Sequence, residues 1–123
     1  MSFIHYLFLG HFEHDGTTVR FSKSPGDTVY KPVVRHPIET DVIKVVLREV
    51  RGTTVNDLAF PDGWVMWMED GYLVCDKYTR NREEIHFVAH LVERTHCEIY
   101  DVAAHYALTL EEWLELTHRC SRS

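Results

Sequence analysis

Cysteine is scarce in this chain, and the few present do not pair by pattern. The 123 residues hold three, Cys75, Cys97 and Cys120. They are odd in number, widely spaced and without a CxxC, which points away from a disulfide frame and from a cysteine zinc site. Long hydrophobic runs are lacking as well. The most apolar stretch, residues 1–10, is too short to span a bilayer. It has no basic flank and carries His5, so it makes a poor secretion signal. A reducing, cytoplasmic setting is therefore expected, with no membrane partner.

Basic runs are missing too. The formal net charge is −6, and it is unevenly spread. Residues 1–61 balance seven Lys/Arg against seven Asp/Glu, whereas residues 62–123 set six against twelve. The second half would repel phosphates, which argues against a nucleic-acid partner. Gly71-Tyr72 only faintly echoes an RNA-recognition strand, with Asp70 where a basic residue belongs. Catalytic signatures are likewise absent: there is no GxSxG, no Walker-type loop, no GxGxxG and no cysteine elbow. Asp15, Asp27, Asp57, Asp62 and Asp70 lie in turn-rich segments, where aspartate serves local backbone hydrogen bonding.

What the sequence does hold is material for a core. Hydrophobic residues make up 45% and aromatics 12%, enough for one packed domain over residues 1–123. Residues 3–12 read as a central strand, apolar on both faces. Thr17–Phe21 and Thr28–Arg35 suggest a hairpin across the turn-rich stretch 22–27, with Pro32 marking an edge. The β-branched residues of 40–51 favour a strand locally, but the period overrides them. Val42, Ile43, Val46, Leu47 and Val50 share one arc of a helical wheel, opposite Asp41, Lys44, Arg48 and Arg51. Thr40 is placed to cap that helix and Gly52 to end it.

Asp70-Gly71 between Trp64–Met68 and Tyr72–Tyr78 is a hairpin signal. It sets Met68 opposite Leu73, Trp67 opposite Val74 and Met66 opposite Cys75. Asn81…Glu84 and Thr109…Glu112 resemble capping boxes and open helices over 82–95 and 110–118. Ile85, Val88, Ala89 and Val92 should point inward from the first. Leu110, Trp113, Leu114 and Leu116 form the apolar side of the second. Cys97–Asp101 supplies a strand between them. The order of elements predicts an α+β fold, specifically a ferredoxin-like split βαβ sandwich. Its sheet is mixed and mostly antiparallel, with an extra N-terminal β-hairpin and a C-terminal helix.

Nine histidines are the most noticeable compositional feature. His86, His90 and His96 have the spacing of a zinc-protease helix, but Phe87 replaces its general-base glutamate and Glu93 its glycine. With so many histidines, roughly 0.6 such i,i+4 pairs arise by chance. We expect no bound metal and no cofactor, with these three as the weak alternative. His5, His11 and His14, beside Glu13 and Asp15, form a second cluster read the same way.

The hairpin is apolar on both faces, so both faces of the sheet need cover. The C-terminal helix, the extra hairpin or another chain can supply it. These features favour a non-enzymatic, acidic protein-binding domain, of immunity or antitoxin type, with a basic protein partner or a second copy of itself. Trp67, Tyr72, Glu111, Glu112, Trp113 and Glu115 are its expected contact residues. The alternative is a small-ligand or metal-binding protein, or an enzyme, that uses the histidines.

Overall fold

The structure is a computed structural model. It describes residues 6–22, 31–52, 60–77, 79 and 81–122, the last four as backbone only. His5, Asp27, Asp57, Tyr78 and residues 28–30 of the expected hairpin lie outside the described residues, as does the side chain of Cys120.

Alternation along the first strand, β1 (Tyr6–Phe12), organises the molecule. It is flanked by β8 (Leu73–Asp76) and β9 (Glu98–Asp101), both antiparallel to it. Leu7 lies between Cys75 and Asp101, Phe8 between Val74 and Tyr100, and Leu9 between Leu73 and Ile99. Successive rows point to opposite faces, because a strand alternates with period two. Leu7, Leu9, Leu73, Cys75 and Ile99 therefore enter one core, and Phe8, Val74 and Tyr100 a second.

Outward from β8 lies β7 (Met66–Met68), and outward from β9 lies β10 (Tyr106–Leu108). The path is β10-β9-β1-β8-β7, with β6 (Val34–His36) also pairing with β1. The β7–β8 register is Met66 to Cys75, Trp67 to Val74 and Met68 to Leu73, as the Asp70-Gly71 turn implies. Gly71 takes φ +86°, and a Cβ there would meet Pro37 Cα at 3.2 Å. Only glycine suits both constraints.

Three helices lie on the first face. The first, α1 (Thr40–Arg51), buries Ile43, Val46 and Leu47, one apolar stripe that overrides the local β-propensity. Its N-cap is Glu39, without a side-chain cap, so Thr40 is the first helical residue and not the cap. Gly52 ends the helix at φ 72°, its N–H donating to the Arg48 carbonyl.

The second helix, α2 (Arg82–Thr95), buries Glu84, Phe87, Val88 and Leu91, so the inward arc is rotated from the one read in the sequence. Ile85, Ala89 and Val92 are only half-buried. Glu84, expected as the capping-box partner of Asn81, instead takes a place on the buried arc. Asn81 caps the helix through its own side chain, accepting from the Glu83 and Glu84 amides. Glu84 does not reciprocate; its carboxylate turns inward to accept from the Thr79 hydroxyl at 2.7 Å.

The third helix, α3 (Leu110–Arg122), opens with a reciprocal capping box. Thr109 N donates to Glu112 and Glu112 N donates to Thr109 Oγ1, each at 3.1 Å. Trp113 and Thr117 are buried, whereas Leu114 points outward.

The second face is covered by the chain itself. Short paired segments run between β1 and β6: β2 (His14–Asp15) with β3 (Thr18–Val19), and β4 (Phe21–Ser22) with β5 (Lys31–Pro32). Hydrogen bonds from Arg20 N to Glu13 O and from Val33 N to Arg20 O tie them together. The expected continuous strand at 17–21 is thus two short bridges on either side of Arg20. Val19, Phe21 and Val34 pack with Phe8, Phe12, Tyr72, Val74 and Tyr100. The C-terminal helix does not serve this face, because its Trp113 belongs to the first core. The described residues contain no helix long and apolar enough to cross a membrane.

Candidate functional site

The end of β9 makes a corner. Asp101 Oδ1 accepts from the amides of Ala103 and Ala104 at 3.1 and 3.3 Å, and its carbonyl accepts from His105 N at 2.9 Å. His105 adopts φ 58° to close the turn, a conformation uncommon for side-chain-bearing residues in which histidine is one of the enriched types. The chain then returns as β10, with Tyr106 opposite Asp101 and Leu108 opposite Ile99. Those pairs place Asp101, Tyr106 and Leu108 on the helix-bearing face, since directly opposed residues share a face. There the helical layer leaves a gap.

Lys77 follows β8 on the same face and closes an ion pair with Asp101, Nζ to Oδ2 at 2.8 Å. The side chains are 15% and 4% exposed, far less than the ordinary surface ion pairs of the molecule. Capping by Thr109 aims the first turns of α3 along the other side of the gap. The result is a cleft of about 330 Å³ lined by Lys77, Asp101, Ala104, Tyr106, Leu108, Glu112, Glu115 and Leu116. Its floor is an ion pair, its walls are partly apolar, and one rim is acidic.

The six expected contact residues separate into different places. Glu112 and Glu115 line the cleft, while Glu111 is exposed on α3 but outside it. Trp113, one residue on, is wholly buried in the first core, so its ring is not a surface anchor. Helical geometry explains this, since neighbours in sequence diverge by about 100° around the axis. Tyr72 is also buried, edge-on to Phe8 and Phe12, and burial pushes its phenol up to about 12. Trp67 is half-buried on β7, at the far edge of the sheet from β10, where its indole N–H donates to Glu69 at 2.7 Å. No single surface holds all six.

The histidines are spread as well. His86 and His90 lie on the exposed side of α2, with His90 Nδ1 2.9 Å from the His86 carbonyl oxygen. His96 ends that helix at φ 56°. His14 pairs through Nε2 with Glu98 Oε1. His11 faces His36 at a ring separation of 6.1 Å; burial, then Arg35 and His36, push its pKa down. No three His, Cys, Asp or Glu side chains among the described residues are grouped to hold a metal ion.

Sequence reasoning missed Lys77, Asp101, Tyr106 and Leu108. Lys77 and Asp101 are 24 positions apart in the sequence and meet only through the strand order. One signal was present: Asp101 ends a strand before small residues, the setting of an aspartate that organises a turn. Comparison of the chain with protein-family models, curated proteins and solved structures gives no match.

Proposed function

We propose that the chain is a non-enzymatic, acidic protein-binding domain that engages a basic protein, in the manner of immunity- or antitoxin-type inhibitors. The element order β1-α1-β7-β8-α2-β9 supports reading its scaffold as a ferredoxin-like split βαβ, with a hairpin inserted after β1 and α3 appended. That scaffold hosts unrelated functions, so the functional reading rests on the site. One observation carries it: Glu112 and Glu115 of the acidic α3 converge with Asp101 on a cleft, next to exposed Tyr106. Concentrated like charge beside a recess accelerates encounter with an opposite charge, and an aromatic adds buried area on docking.

The experiment is affinity capture from the native cell at low and high salt, repeated with Glu111→Gln/Glu115→Gln protein. Retention of a basic protein that weakens with salt and with the double substitution supports the reading. Retention indifferent to both refutes it. A second reading, a small-ligand site, is favoured by the Lys77–Asp101 pair, because sheltered ionisable pairs in clefts are frequent seats of chemistry. A ligand screen read by chemical shifts at Lys77 and Asp101 separates the two.

A further inference from the structure

The cleft has the shape and chemistry of a receptacle for one side chain. At about 330 Å³ it lies at the small end of ligand pockets, which run from about 300 to 1,000 Å³. Its lining carries one lysine and three carboxylates, a formal charge of −2. Lys77 and Asp101 hold each other on the floor. Glu112 and Glu115, both exposed, stand on the α3 rim, and Glu112 is held in place because one of its oxygens caps Thr109 N. Leu108 and Leu116 offer apolar wall, and the ring of Tyr106, 44% exposed, stands opposite the helix.

An occupant complementary to all three features has an alkyl stem and a cationic head. We propose that this cleft receives a single arginine or lysine side chain from the basic protein partner, an inference that rests on the proposed function above. The stem lies along Leu108 and Leu116. The head meets the Glu112 and Glu115 carboxylates and the face of Tyr106, where a cation over an aromatic ring gains further attraction. Arginine is the better fit, because its planar guanidinium stacks on a ring while bonding carboxylates and is less strongly hydrated than an ammonium.

The test uses the intact chain and three short peptides that differ at one central residue: arginine, lysine or citrulline, which keeps arginine's shape without its charge. Binding is measured by calorimetry and by amide chemical shifts at low salt. The expected result is that the arginine peptide binds more tightly than the lysine peptide, and both at least tenfold more tightly than citrulline. Shifts should concentrate on Ala104, Tyr106–Leu108 and Glu112–Leu116.

Glu111→Gln and Glu115→Gln remove the same charge from the same helix, but only Glu115 lines the cleft. Weakening of fivefold or more by Glu115→Gln, with less than twofold by Glu111→Gln, supports the receptacle. Equal weakening by both overturns it and leaves the acidic-surface reading standing. Equal affinity for citrulline, or shifts centred elsewhere, also overturns the receptacle. Absence of binding to all three peptides overturns it too. Capture of a salt-sensitive basic protein in the preceding experiment would then show that the broader reading survives.

Discussion

Glu84 is the residue whose environment departs furthest from its chemistry. It is 1% exposed, one carboxylate oxygen accepts from Thr79, and the other has no partner. Burial raises its pKa from 4.5, the Thr79 hydrogen bond opposes the rise, and nearby Asp76 adds to it. The folded protein therefore binds this proton more tightly than the unfolded chain. Stability contributed here is highest at low pH and falls as pH rises from about 4.5 through the raised folded value. Glu84→Gln keeps an acceptor for Thr79 and removes the titration. We expect it to match or exceed the parent by about 1 kcal/mol at neutral pH, and to lose that advantage toward pH 4.5. Urea unfolding of both proteins across this range measures it; parallel profiles would refute the assignment. The buried thiols behave similarly. Burial lifts Cys97 to about 11 and Cys75 well above its ordinary value, so little nucleophilic thiolate forms. Neither should be alkylated at pH 8 until the protein is unfolded, as peptide mapping by mass would show.

The elements themselves were largely legible in the sequence. α1 announced its period despite six β-branched residues, and the Asp70-Gly71 turn fixed the β7–β8 register residue by residue. Where the reading failed, a residue's type hid its surroundings. Glu84 reads as a capping-box residue but is buried in α2, and Trp113 reads as a contact residue but is core. The cleft was half legible. Glu112 and Glu115 were visible on an amphipathic helix, but the register that brings Lys77 to Asp101 is a property of the whole sheet. For α3, Trp113→Ala should cost about 3–5 kcal/mol, as for other buried aromatics. Trp113→Phe should cost much less, because its indole N–H has no partner to lose. Thr109→Ala, which removes one half of the capping box, should cost about 1 kcal/mol. Chemical denaturation of the three variants gives the ranking. A Trp113→Ala loss below about 1 kcal/mol would mean that α3 is not docked through this ring.

At the scale of the molecule, the sheet has two apolar faces and two unlike covers. The helices bury the first over a continuous core that reaches from Ile43 to Trp113. The second is closed by short segments between β1 and β6, which contribute Val19 and Phe21 beside Val34 of β6 and are tied in by a few backbone hydrogen bonds. Among the described residues the thinner cover holds fewer buried groups, so it should be the first part to open, since local stability follows buried apolar contact. Val19 is 3% exposed within that cover. An aspartate there would place an ionisable group among Phe8, Phe12 and Tyr100, and the segment escapes that cost of a few kcal/mol by lifting into water. Lifting uncovers an aromatic face large enough to seek a replacement, and the nearest replacement is the same face of another copy. Val19→Asp should therefore keep its helical circular dichroism while gaining concentration-dependent association by light scattering. The helix-bearing core does not depend on position 19, so loss of helix signal together with the cover would refute the two-cover description.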